Sequence, residues 1–389
     1  MLDRALGKLL PFEADVLQAK AARRAGHDDF AADIHQPLQI LLQSFQQQAG
    51  LKPIGRVVAF NDVLALLVNH LQLRHDHQHW PHTADENIDR PIFITGLPRT
   101  GTTLLHALLA GDERLRAPLT WEVMSPSPPA AASSEKELRR RRLQARAKLR
   151  WLDRLAPGFQ AIHEVGAELP QECIAITAQA VRSLRFLVTY RLPDYADYLA
   201  QTDMRPAYHW HRNFLQQLQH GQPSLRWVLK APGHLADLDA LLAEYPDAVV
   251  IQTHRDPVQT IPSLASLRLN MRRAFARDPD ATEIGAEVSA YWHDALQRCQ
   301  RVRDTSAAER FVDVCYDDLM RDPAATLASV SAQIGLPWRS EDAQRLQLYL
   351  QQNPQGKHGR HNYQAADFGL SEFALQQQFS AYRMAQGWA

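Results

Sequence analysis

The chain has 389 residues, 45% of them hydrophobic and 22% charged, which suits one large α/β domain with additions, or two domains, and excludes a disordered, fibrous or disulfide-scaffold protein. Lys plus Arg and Asp plus Glu each total 43, so no global basic field draws nucleic acid, and any anion site must be local. The three cysteines, Cys173, Cys299 and Cys315, are scattered without CxxC spacing, a usage that fits a reducing compartment and argues against disulfides or zinc.

In chain order, the N-terminal stretch MLDRALGKLLPFEADVLQAKAARR mixes charges into its apolar positions, unlike a signal peptide. No window is expected to reach the roughly 18 apolar residues of a membrane span, and the expected location is cytoplasmic. Up to about residue 75 the apolar residues fall at helical spacing, as in Leu38, Leu41, Leu42 and Phe45, then Val63, Leu64, Leu67 and Leu71. The following His70, His75, His77, His79 and His82 lack the carboxylate or cysteine spacing of a defined metal site. Pro91 opens PIFITG, an Ile- and Phe-rich run that reads as a strand, followed by a Gly/Pro/Thr turn and a helix through Leu104, Leu105, Leu108 and Leu109.

SPSPPAAASSEKE, from Ser125, has loop composition, and ELRRRRLQARAKLRW after it reads as a strongly basic helix. Such a helix is usually a solvated amphipathic face, with an anionic substrate, a membrane surface or RNA as its other possible contacts. Strand-turn-helix units recur at LRWVLKAPGHLADLDALLAEYP, DAVVIQTHRDPVQTIPSLASL and RFVDVCYDDLMRDPAATLASVSAQIGL. Alternating units of this kind predict a parallel sheet. KHGRHNYQAADFGL, near the C-terminus, is polar, contains glycine and reads as a binding loop.

Gly96 to Thr103 reads GLPRTGTT. Between a strand and a helix, such a loop offers backbone N–H groups and a helix N-terminus to an anion. Thr102 stands where nucleotide-hydrolysing enzymes place the Walker lysine, and the strong cation is instead Arg99, which disfavours ATP chemistry. The loop resembles the 5′-phosphosulfate loop of sulfotransferases, GxPRSGTT in many bacterial, carbohydrate and tyrosylprotein members, with Thr100 replacing the serine. That resemblance implies that Arg99, Thr100, Gly101, Thr102 and Thr103 hold the phosphosulfate end of 3′-phosphoadenosine 5′-phosphosulfate (PAPS).

In THRDPVQTIPS, Arg255 ends a strand and Ser263 follows eight positions later in a helical segment. This resembles the Arg and Ser with which sulfotransferases bind the donor's 3′-phosphate. YDDLMRDPAATL from Tyr316 is similar to the family's YEDL…DP segment, and KHGRHNYQAADFGL to its KHG…H.Y…DFGL segment. In the family a late basic loop closes over the donor, which makes Lys357 and Arg360 candidate donor contacts. The resemblance spans about residues 91 to 370 and leaves the first 90 or so uncovered.

Sulfuryl transfer requires an aligned acceptor oxygen, neutralised charge on the bridging oxygen and a proton acceptor. Lys230, ending WVLK, resembles a lysine that some sulfotransferases place near the leaving phosphate. Two residues are candidates for the base. Glu122, in APLTWEVMSP, follows the loop at a distance similar to that of the catalytic glutamate of tyrosylprotein sulfotransferases. His234 resembles the histidine of cytosolic sulfotransferases but lies four positions beyond the lysine rather than two.

The expected architecture is α/β: a P-loop NTPase-like central parallel sheet of about four or five strands flanked by helices. A helical N-terminal region is expected over residues 1–90, a sulfotransferase-like domain over 91–389 and a helical insertion around 125–225. The expected activity is PAPS-dependent sulfuryl transfer, without a metal, to a small-molecule, carbohydrate, lipid or peptide acceptor with a hydroxyl or amine. A nucleotide or small-molecule kinase, or a non-catalytic nucleotide-binding module, is the alternative.

Overall fold

The apolar runs of the sequence become strands in the computed structural model: β1 (Ile92–Gly96), β2 (Leu115–Arg116), β3 (Arg226–Lys230), β4 (Val249–His254) and β5 (Phe311–Cys315). The described residues are 2–155, 166–305, 308–353 and 364–388. They divide into a helical unit (Met1–Ile88, Pro118–Ser224 and Asn270–Pro279) and a sheet unit (Asp89–Ala117, Leu225–Leu269 and Asp280–Ala389).

In the sheet unit the strand order is β2-β3-β1-β4-β5 and every pair is parallel. The expected parallel α/β sheet is therefore present with five strands. β2 escapes a periodicity reading because two residues carry no period. From β1 the chain builds β2 and β3 on one side and β4 and β5 on the other, so β1 sits at the topological switch point, where its C-terminal end opens a crevice.

Alternate residues of β1 serve different layers. Ile92 and Ile94 join Val228, Ile251, Val312 and Val314 in a core shared with Leu105, Leu108 and Leu109 of the helix Thr102–Ala110. Phe93 points to the other face, against Tyr245 at 5.1 Å between ring centroids. Burial on both faces explains why these strands read as unbroken apolar runs.

On that second face, side chains tie the C-terminal helix Ser380–Ala385 to the end of β4. His254 lies 2.8 Å through Nδ1 from the Tyr382 hydroxyl and 2.8 Å through Nε2 from Asp313 Oδ1. Arg303 donates to both Asp313 oxygens at 2.7 Å and to Gln252 Oε1 at 2.8 Å. One residue beyond Arg255, Asp256 accepts from Arg383 Nε at 3.2 Å to each oxygen.

In the helical unit, segments distant in sequence share one core. Phe12 stacks on Phe45 at 5.0 Å, Phe45 meets the Tyr190 edge at 4.9 Å, and Gln217 Nε2 donates to Asp76 Oδ2 at 2.6 Å. The helix Pro53–His79 corrects the expectation that no window resembles a membrane span. It holds an 18-residue window of mean hydropathy 1.4, and half of that window is buried in the fold. Leu64, Leu67 and Leu71, on that helix, are core residues, and a buried helix is apolar on more than one face.

The histidine run does not converge. His70 stacks on Trp210 at 4.2 Å and is pushed down to about 3 by burial. Among the described residues no cluster of three His, Cys, Asp or Glu is arranged to hold a metal ion.

Burial alone would raise the Asp313 carboxyl, but hydrogen bonds from His254 and Arg303 outweigh it and hold the group below the usual carboxylate range. A depressed folded-state value stabilises the fold above the unfolded-state value of about 3.9 and is lost as pH falls below it. Stability measured by urea unfolding should therefore decline below about pH 4, and Asp313→Asn should lower stability at neutral pH while flattening that decline. An unchanged slope in the variant would remove Asp313 from the acid response.

Candidate active site

The loop after β1 is shaped by how closely it approaches β4. Gly96 pairs with Thr253 and has φ 138°, and a Cβ there would lie 2.3 Å from Thr253 Oγ1 and 2.5 Å from Thr253 O. Only glycine fits. Arg99 (φ 70°) and Gly101 (φ 86°) then adopt left-handed backbone on either side of Thr100. A non-glycine residue held there is strained, and such strain gathers at ligand sites. Left-handed residues interleaved with others turn successive N–H groups to one side, directly before the N-terminus of the helix Thr102–Ala110.

Thr100 is fully buried, with Oγ1 2.5 Å from both Leu97 O and Thr253 Oγ1. Thr253 Oγ1 in turn lies 3.2 Å from Thr95 O. Two hydroxyl hydrogens can make only two of these three contacts hydrogen bonds at once, and the buried Thr100 side chain lies between its own loop and β4. What Thr100 offers an anion is its backbone N–H. Thr102 is also buried, whereas Thr103 is exposed in the first helical turn.

Two cations converge on this helix start. Lys230, at the end of β3 and in register with Ile94, is almost wholly buried along its stem, yet its Nζ reaches Thr103 Oγ1 at 3.3 Å. Arg255 donates through Nη1 to the Arg99 carbonyl at 2.9 Å and lies over the Tyr316 ring at 4.1 Å. Its Nε is buried without a hydrogen-bond partner among the described residues. A buried guanidinium N–H left without an acceptor is costly, so this donor is available to an incoming oxyanion.

Gln259 Oε1 lies 3.4 Å from Arg255 Nη2. Ser263 follows Gln259 by four residues on the helix Pro257–Phe275, so both occupy one helix face. Sequence reasoning passed over Gln259 although this i, i+4 spacing signals it. Tyr316 carries no such signal, because stacking beneath an arginine leaves no mark in spacing. Lys357 and Arg360 lie outside the described residues.

The two proton-acceptor candidates have different settings. His234 is buried in the turn after β3, its ring edge-on to Phe93 at 5.2 Å and 89°. Phe93 faces away from the layer that holds the helix Thr102–Ala110, and His234, one of the two candidates, packs against its ring. Glu122 belongs to the helical unit and is also buried. Its Oε2 accepts the Leu119 N–H at 2.8 Å, closing the start of the helix Thr120–Met124.

Comparison with known proteins agrees with this geometry. The profile of the sulfotransferase family matches residues 91–340. Omega-hydroxy-beta-dihydromenaquinone-9 sulfotransferase Stf3, from Mycobacterium bovis and from Mycobacterium tuberculosis, is 28% identical over 273 residues, covering 67% of this chain and 67% of the relative. The crystal structure of sulfotransferase STF1 from Mycobacterium tuberculosis H37Rv superposes with a TM-score of 0.84 at 31% identity, over 95% of this chain and 98% of its own. That of STF9 from Mycobacterium avium gives 0.85 at 28%, over 96% of each chain. With a family match over well over half its length, this chain belongs to the sulfotransferase family and is a sulfotransferase enzyme.

Proposed function

We propose that this sulfotransferase draws its sulfuryl group from PAPS and passes it to an acceptor hydroxyl or amine. The observation behind this reading is the convergence of two cations on one helix N-terminus, Lys230 at Thr103 and Arg255 at the Arg99 carbonyl. Arg255 Nε, buried without a hydrogen-bond partner among the described residues, also favours an oxyanion ligand.

PAPS supplies the activated sulfuryl group and a phosphate as leaving group. Arg99, Thr100, Gly101, Thr102 and Thr103 would receive its phosphosulfate end, largely through backbone N–H groups, and Arg255 with Ser263 its 3′-phosphate. Lys357 and Arg360 complete the proposed donor contacts. Lys230 stabilises charge gathering on the leaving oxygen, in a buried setting where an ammonium acts more strongly than in water. No step calls on a metal ion.

For the proton we favour the Glu122 carboxylate, with His234 second because its ring packs against Phe93. The relative named for omega-hydroxy-beta-dihydromenaquinone-9 makes a hydroxyl on a large apolar molecule the first acceptor to try.

Thermal unfolding with 3′-phosphoadenosine 5′-phosphate, the donor's product, should show stabilisation of about 2.7 kcal/mol at 100 times its dissociation constant. The gain should vanish in Arg255→Ala, and a shift with magnesium-ATP alone would overturn PAPS as the donor. Glu122→Gln keeps a side-chain acceptor for the Leu119 N–H, so the helix start should survive while turnover falls about 10²- to 10⁴-fold with donor binding unchanged. Full activity in that variant would move the proton elsewhere. Lys230→Ala should lower kcat about 10²- to 10³-fold, and an unaffected kcat would remove Lys230 from the chemistry.

A further inference from the structure

The basic helix Glu135–Leu155, within the helical unit, carries nine Lys or Arg against three Asp or Glu in a chain that is neutral overall. One pole is accounted for. Leu138, Ala145 and Leu149 pack with Leu119, Trp121, Met124 and Ala167, and the buried Arg141 donates to Pro128 O and Ser133 Oγ, each at 2.8 Å. At about 100° per residue, the opposite pole falls on Leu143, Ala147 and Trp151. All three are exposed, Leu143 by 51% and Trp151 by 49%.

A solvated surface helix does not need a leucine and a tryptophan on its outermost line. Arg139, Arg140, Lys148 and Arg150 border that line and are exposed. Arg140 pairs with Glu137 at 2.6 Å, and among the described residues no ion pair occupies Arg139, Lys148 or Arg150. An apolar line containing an interfacial Trp, edged by cations of which Arg139, Lys148 and Arg150 have no ion pair among the described residues, matches the chemistry of an anionic bilayer surface: ring and leucine enter the headgroup boundary while the long basic side chains reach phosphates. Single-stranded RNA fits less well, because it seeks several aromatic platforms and this face offers one.

We propose that the helix Glu135–Leu155 docks this sulfotransferase on the surface of an anionic lipid bilayer through Leu143, Ala147 and Trp151. Docking would bring the enzyme to acceptors dissolved in the bilayer. That consequence rests on the proposed function, whereas the docking does not.

The test is sedimentation of the full chain with phosphatidylcholine vesicles, with and without phosphatidylserine, read without turnover so that failure leaves the donor reading intact. The chain should sediment with the anionic vesicles only and be released as salt rises toward about 1 M. The double substitution Arg139→Glu and Arg150→Glu should cut partitioning about tenfold or more. Trp151→Ser should lower it several-fold, and Ala147→Trp, which extends the apolar line, should raise it. Equal binding to neutral vesicles, no binding, indifference to these substitutions, or retention on RNA in place of vesicles would each overturn the proposal.

Discussion

At Gly96 the backbone of β1 comes so close to β4 that a single added carbon would collide with Thr253. Much of the site follows from that approach. It lets the Thr100 hydroxyl reach Thr253 and close the loop on itself, which holds Arg99 and Gly101 in the left-handed backbone that turns the amides together. Left-handed backbone at Arg99 costs free energy, and the loop sustains it. A preorganised cradle of this kind need not pay for ordering when an anion arrives.

The cations are placed by strand register. Lys230 lies beside Ile94 because β3 neighbours β1, and Arg255 leaves the end of β4 on the other side. Arg255 is held by contacts that leave its Nε without a partner among the described residues. The Arg255 guanidinium is flanked in sequence by His254 and Asp256, and both neighbours are tied to the C-terminal helix, by Tyr382 and by Arg383. The helix Ser380–Ala385 thereby steadies the two neighbours of Arg255.

The helical unit follows a different logic. Its helices fill a core of their own, and the basic helix Glu135–Leu155 satisfies one pole there while leaving an apolar line outward. Neutrality of the whole chain hides this local concentration of charge, and a local field is what short-range docking on phosphates requires.

Composition and motif order by themselves determined the class of fold, the place of the Gly-rich loop between β1 and its helix, and the family. Apolar runs buried on both faces have no other stable home than a covered parallel sheet, and a Gly-rich turn between strand and helix has little conformational choice. Local pattern places Lys230 and Arg255 at the ends of strands and Arg99 in the turn after one. The tertiary structure alone decided what the other side chains do. Thr100 turned inward because β4 is its neighbour, His234 entered the core because the turn after β3 folds against Phe93, and Gln259 joined Arg255 through a helical turn. It also separated the two poles of the basic helix, since periodicity gives the spacing of side chains but not which side the rest of the fold will cover.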